Sequence, residues 1–367
     1  MAVVSALPTA CSGSDHEPSR QANEPLMCSV SLLTRSAIDA ELSNVFAMDV
    51  DSRGLIYTIS ASTVTVFAPD GSLLRRFGRD GAGPGEFKNL IGIQILPGDS
   101  VFTFDTGLSR ITVFAPGTDS VAYTLNLLTA AHKLPPSRLV AVPDKRIFLA
   151  IHQRVASARG ATQGQQVVRI LNWDGTVRRD SVLSFPASGS VLIARGNGVV
   201  TAGYNPFGAP HVVKFTANGH IYYGPGDSLS IEVYDLEGQR DRAFSSPYTP
   251  PRVTGEDIEH AVKEQSADEL LSRALRAEAP ERWPAYHNFV VDDAGQIWVG
   301  LTSPNGEPIR WAVFSRTGER LCSVTFPETV GPEVIRDNRV YGVARDTLDV
   351  PSVVVYRVSQ RRNEATR

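Results

Sequence analysis

Gly78-Arg79-Asp80-Gly81-Ala82-Gly83-Pro84-Gly85-Glu86-Phe87 holds four glycines and one proline in ten residues. That composition reads as a sharply folded connection, because glycine adopts backbone angles closed to other residues and proline fixes its own. Before it lies a hairpin-rich segment, Val45 to Phe77, and from Leu90 the same wording starts again. Ile56-Tyr57 followed by Val66-Phe67-Ala68-Pro69 returns as Val101-Phe102 followed by Val113-Phe114-Ala115-Pro116. The glycine-rich stretch is therefore the joint between two copies of one unit.

The most regular mark of the unit is a β-branched residue followed by an aromatic one, just after a turn. It occurs at Ile56-Tyr57, Val101-Phe102, Ile147-Phe148, Ile221-Tyr222, Ile297-Trp298 and Val340-Tyr341. The preceding turns, such as Ser52-Arg53-Gly54, Pro97-Gly98-Asp99 and Asp293-Ala294-Gly295, use the residues that turn geometry demands. Successive marks are 45, 46, 74, 76 and 43 residues apart, so the short period is the true one and two copies carry insertions. The first copy divides into four short strands, Phe46 to Val50, Leu55 to Ile59, Thr63 to Phe67 and Ser72 to Phe77, the last two joined by the hairpin signal Asp70-Gly71. Four strands in roughly 40–50 residues is the pattern of a β-propeller blade. The segments lack the 3.6-residue apolar period that a helical solenoid would need. An all-β, six-bladed propeller is predicted.

The wording resembles NHL-repeat propellers and their bacterial six-bladed relatives. The resembling stretches are Gly81 to Phe87 (G-x-G-P-G-E-F), Asp105 to Phe114 (D-x4-R-I-x-V-F) and the tail Val340 to Tyr356. The resemblance runs from about residue 28 to 358 and implies the fold; propellers host many activities, so it implies little about function. In that reading Asp105 and Arg110 brace a hairpin through an ion pair.

Three segments follow: a leader and tether over 1–25, the propeller over 26–358 and a polar tail over 359–367. The start, an apolar run ending in Thr9-Ala10-Cys11 before a polar stretch, resembles a bacterial lipoprotein signal. This implies export, with the protein periplasmic or held at a membrane by a lipid on Cys11. Cys28 and Cys322 are then an even pair; a bridge is possible in an oxidising compartment, but two separately buried thiols are the favoured reading. The last copy supplies three strands, from Glu333, Arg339 and Ser352 onward, so the strand Met27 to Leu33 is free to complete it and remove an exposed edge.

The two insertions differ in kind. Val191 to Tyr204 reads as an extra hairpin around Gly196-Asn197-Gly198. Residues 254–278 read as a helical pair between the fourth and fifth blades, with Thr254 as N-cap and acidic residues in the first turn. The pair packs on one face of the ring as a partial lid.

Hydrophobic content of 42%, charged content of 20% and a net charge of −3 describe an ordinary globular protein with no electrostatic reason to bind nucleic acid. No nucleophile elbow, phosphate loop or paired-cysteine metal motif occurs. Propeller ligands lie at a mouth of the central channel, so the residues that open the innermost strands are the candidates: Asn44, Asn89, Arg138, His211, His287 and Glu333. Arg138 could hold an anion; His211, His287 and Glu333 could hold a divalent metal, calcium or zinc. The alternative is that all are solvated loop ends. Trp283 and Tyr286, with His287, could stack a sugar or peptide, or could glue the helices down. The favoured function is a monomeric, non-catalytic binding or scaffolding propeller for a protein or small-molecule ligand. The alternative is a metal-dependent propeller enzyme of the lactonase or amidating-lyase type.

Overall fold

The computed structural model describes residues 26–36, 45–127, 135–154, 164–187, 190–194, 200–264, 269–304, 308–346, 348 and 350–360. Cys11, Asn44 and the tail beyond 360 lie outside them, as do the middle-hairpin loop of the third copy and the tip of the extra hairpin.

Strand β1 is Cys28–Arg35. Then come four-stranded antiparallel sheets of β2 (Ala47–Val50), β3 (Ile56–Ser60), β4 (Thr63–Phe67) and β5 (Leu73–Phe77); of β6 (Leu90–Ile95), β7 (Val101–Asp105), β8 (Arg110–Phe114) and β9 (Val121–Asn126); and of β10 (Arg138–Val142), β11 (Ile147–Arg154), β12 (Gln165–Asn172) and β13 (Val177–Pro186). A separate hairpin, β14 (Ser190–Ala194) and β15 (Val200–Tyr204), precedes the fourth sheet of β16 (Val212–Phe215), β17 (Ile221–Gly224), β18 (Ser230–Tyr234) and β19 (Arg240–Ser245). Helices α1 (Gly255–Glu264) and α2 (Glu269–Glu278) follow, then β20 (Tyr286–Val291), β21 (Ile297–Leu301), β22 (Arg310–Phe314) and β23 (Arg320–Thr325). The last sheet runs β24 (Val330–Arg336), β25 (Arg339–Arg345), β26 (Pro351–Gln360) and, outermost, β1. This is a six-bladed propeller closed by its N-terminal strand. The helices sit between the fourth and fifth sheets counted from Ala47, or the fifth and sixth counted from the closing sheet.

The ring is held by six apolar clusters, one in each seam between neighbouring blades. Tyr57 and Phe77 of the first blade meet Phe87, Leu90 and Phe114 of the second; Met48, Val50 and Phe67 close the circle against Tyr341, Val353 and Val355 of the last. The aromatic residue of each turn-then-aromatic mark, Tyr57, Phe102, Phe148, Tyr222, Trp298 and Tyr341, is buried in these seams. A sheet apolar on both faces has to be covered on both, and a ring of blades does so without a free face.

The glycine-rich joint is fastened by the residues that resemble the NHL string, though not by the ion pair expected. Arg110 donates to the carbonyls of Ala82 at 2.8 Å, Gly83 at 3.1 Å and Glu86. Asp105, fully buried, accepts from the backbone N–H groups of Lys88, Asn89 and Leu108 at 2.6, 3.2 and 2.8 Å. Each charge thus satisfies loop backbone that would otherwise be buried unpaired. Asn89 serves the same turn, its side chain donating to the Thr106 hydroxyl at 2.7 Å.

At the closure, β1 pairs antiparallel with β26 from Cys28↔Gln360 to Arg35↔Val354. Arg35 bonds Glu328 at 2.5 Å and the Ser352 hydroxyl at 2.8 Å. Cys28 and Cys322 are bridged, which corrects the reading of two separate thiols. The reason is that β1 and β23 are the outermost strands of adjacent blades and run side by side, with a parallel bridge between Met27 and Ser323. Sequence distance of 294 residues gave no sign of that proximity.

Candidate functional site

In each blade the innermost strand starts on one face of the ring, here called the upstream face, and ends on the other. These strands have one edge on the central channel, and neighbouring blades supply polar groups to it. Asp49 accepts from the Ile95 N–H at 2.6 Å. The Gln94 amide donates to the Ala141 carbonyl at 3.0 Å and accepts from its N–H at 2.9 Å. Arg138 Nη1 donates to the Val213 carbonyl at 3.0 Å. Arg336 Nη1 donates to the Val50 carbonyl at 2.7 Å. Unpaired strand edges are thereby satisfied from across the seams.

A cavity of about 470 Å³ occupies the axis and opens at the downstream face. It is lined by all six innermost strands, among them Asp49, Gln94, Leu139, Phe215, Asp292 and Glu333. Immediately upstream of Leu139 and Phe215 on their strands stand Arg138 and Lys214. Arg138 and Glu333 are exposed at the surface and Lys214 is half-buried, yet all three have protein around them. This is the situation of groups that project into a narrow tube.

The three charges act on one another. Desolvation, and then the Arg138 charge, push the Lys214 ammonium down to about 8, against a smaller pull upward from Glu333. Desolvation also lowers Arg138, with Glu333 opposing. Desolvation raises the Glu333 carboxyl, and Lys214 and Arg138 draw it back in part. Two cations thus face one carboxylate. Asp49 is raised chiefly by burial, offset by the N–H groups of Ile95 and Val50 and by Arg336, 3.8 Å away.

The other residues singled out from the sequence lie apart from this group. His211 precedes β16, and its Nδ1 bonds the Tyr223 hydroxyl at 2.8 Å; burial pushes its imidazole down, while Asp227 draws it up. His287, on β20, is lowered by desolvation although its surface is exposed. Among the described residues no three His, Cys, Asp or Glu side chains are placed to hold one metal ion. His211, His287 and Glu333, carried on the fourth, fifth and last blades, are thus not grouped as the calcium or zinc site expected. Tyr286 is 0% exposed; its hydroxyl donates to the Ser230 carbonyl at 3.2 Å and accepts from the Gly226 N–H at 3.3 Å. It glues two blades and presents no surface to a ligand.

Trp283 lies in the neck of the helical insert, edge-to-face with Phe207 at 4.8 Å. Both line a second cavity, of about 500 Å³, with Asp227, Pro250, Arg282 and Pro284. Helix α1 opens on Thr254, whose hydroxyl accepts from the Asp257 N–H at 3.2 Å, while Asp257 accepts from the Thr254 N–H at 2.8 Å and from Trp283 Nε1 at 3.4 Å. Helix α2 lies against β14, so the two insertions meet on the upstream face over the fourth blade. A third cavity, about 440 Å³, follows the disulfide and the closing strand, far from the axis.

Lys214 is the residue that reading the strand starts missed. It stands inside the run Val212-Val213-Lys214-Phe215. A lysine interrupting an apolar innermost strand was the available signal, since such a charge has only the channel to enter.

No family profile matches the chain, and no curated protein shows significant sequence similarity to it. Its fold is similar to solved six-bladed β-propellers. One is a member of the DUF4221 family from Bacteroides vulgatus, 11% identical, with a TM-score of 0.56 over 92% of this chain and 100% of that one. Another is a Bacteroides fragilis protein presumed to be exported, 10% identical, with a TM-score of 0.53 over 91% of this chain and 96% of that one. At this identity the likeness concerns the fold alone.

Proposed function

We propose that this chain is an exported binding propeller whose ligand is a small organic anion of the carboxylate class, held on the axis by Arg138 and Lys214. The observation that carries the reading is the pair of cations, Arg138 and Lys214, set against the single carboxylate of Glu333 on the innermost strands. Holding a charge away from water without a partner is costly, so the second, unmatched cation invites an anion that completes the set. The guanidinium fork matches a carboxylate in two-point geometry, and the ammonium adds a point charge. The axial cavity of about 470 Å³, lined by Glu333 and by Leu139 and Phe215, the residues that follow Arg138 and Lys214, suits a small molecule.

Export is supported by the Cys28–Cys322 bridge, since structural disulfides persist mainly in oxidising compartments. The lipoprotein-like Thr9-Ala10-Cys11 string agrees with it, and the Bacteroides fragilis protein of like fold is presumed to be exported. No helix among the described residues is long and apolar enough to cross a membrane; attachment would rest on the lipid at Cys11. Fractionation of cells expressing the wild type and Cys11→Ser tests this: release of only the variant from membranes supports anchoring.

The binding test is calorimetric titration of pyruvate, oxalate and citrate, with inorganic phosphate as the competing anion class. Saturable binding of a carboxylate, weakened at least tenfold by Arg138→Gln, is expected. Equal binding by Arg138→Gln, or preference for phosphate, would overturn the reading.

A further inference from the structure

We propose that Lys214 captures α-keto acids covalently, as a reversible imine, with Glu333 carrying the proton. The proposal rests on the axial anion site and names its ligand more narrowly.

Three placements support it. Lys214 is the third residue of the innermost strand Val212–Phe215, directly before Phe215, which lines the axial cavity. Arg138 is anchored beside it, because its guanidinium donates to the carbonyl of Val213, the preceding residue. Glu333 lines the cavity itself from the last blade, where the β24–β25 register shifts between Pro332 and Val334. An amine, a fixed carboxylate receptor and a proton carrier thus stand on innermost strands around one cavity, Glu333 lining it and Arg138 and Lys214 each one residue from a lining residue. A ligand with a carboxylate next to a carbonyl would put the first group on Arg138 and the second within reach of Lys214.

The charged groups acting on Lys214 are Arg138 and Glu333. A lysine desolvated beside another cation gives up its proton more easily, which is how amines become nucleophiles near neutral pH. Burial keeps Glu333 easier to protonate than an ordinary glutamate. The neutral amine attacks the carbonyl carbon, a C–N bond forms as the C=O π pair moves to oxygen, and one proton of the resulting ammonium passes by way of Glu333 to that oxygen to give a carbinolamine. Glu333 then protonates that hydroxyl, which leaves as water as the nitrogen lone pair closes the C=N bond. The proton lost from nitrogen returns to Glu333. One water is released, nothing is oxidised or reduced, and hydrolysis reverses the step.

The chain has five lysines, so four serve as internal controls: Lys88, Lys133, Lys145 and Lys263. The experiment incubates the protein with pyruvate and sodium cyanoborohydride and maps the reduced adduct by peptide mass spectrometry between pH 6 and 9. The Lys214 peptide should be labelled first, at a rate that rises towards pH 8, and more slowly by acetone, which lacks the carboxylate. Lys214→Arg should lose the adduct wholly while weakening pyruvate binding less than tenfold, since the cation stays. Equal labelling of all lysines, or none at Lys214 while calorimetry still detects pyruvate, would overturn imine capture and leave the anion site standing. Failure of both binding and labelling would sink both.

Discussion

Arg138 of the third blade and Val213 of the fourth are joined by a hydrogen bond of 3.0 Å from guanidinium to carbonyl, and that bond fixes a cation next to Lys214. The tie is a structural device, repeated by Gln94 and Arg336 in other seams. What is particular to this seam is the second cation beside it, and that pairing sets a sign for stability.

The Lys214 ammonium, held near 8, lies below its value in the unfolded chain, about 10.4. Between those values the unfolded state binds more protons, so stability rises with pH from about 8 to about 10.4, and below 8 the full cost of desolvating the cation is present. Lys214→Met should therefore melt above the wild type at pH 7, with an advantage that shrinks as pH rises through 8 towards 10. Thermal scans at pH 6, 7, 8, 9 and 10 check this; a variant that melts lower at pH 7 would show that the ammonium stabilises the channel.

The closing strand is held by ladder, ion pair and disulfide together. Reduction, or Cys322→Ser, should cost about 2–5 kcal/mol, because the bridge restrains a very long loop in the unfolded chain. Deleting residues 1–35 should cost more, since it also bares the edge of β26. Denaturant titrations with and without reductant give the first value; identical midpoints would mean that β1 holds by its ladder alone.

Gly78 sits at φ +85°, and a Cβ there would lie 2.7 Å from a ring carbon of Phe87 and 2.8 Å from the Ser62 carbonyl. Gly78→Ala should destabilise by about 1–3 kcal/mol through backbone strain and the displaced ring. An unchanged melting curve would mean the joint relaxes freely.

The ring was legible because each blade repeats one local instruction, a turn followed by an aromatic residue that fills a seam. Six copies made the count and the three-stranded last copy made the closure. Thr254 was legible as a cap for the same reason, since capping is local. The disulfide was not, because only the ring's closure brings Cys28 to Cys322. Of the candidate site, Arg138 and Glu333 were legible as polar residues on innermost strands. Lys214 was not legible from the strand entries because it lies inside β16, where alternation does not say which side chain turns to the axis. Tyr286 and the supposed metal set misled because sequence does not say onto which neighbour a side chain of a given blade will turn.

Thr254→Ala should cost about 1 kcal/mol of local helix stability by removing the cap. It should also loosen Trp283, whose indole shares Asp257 with that cap. Indole fluorescence would report it, with a shift toward solvent-exposed emission expected; an unshifted spectrum would show that Phe207 alone holds the ring.

The most direct test of the axial site is the titration of Lys214 itself, followed by NMR of protein with isotope-labelled lysine side chains. One of the five lysine amines should titrate near 8. Saturation with a bound carboxylate should move that amine upward, because an anion beside an ammonium favours its charged form. Lys214 titrating near an ordinary lysine, or staying unmoved while the carboxylate binds, would contradict the site.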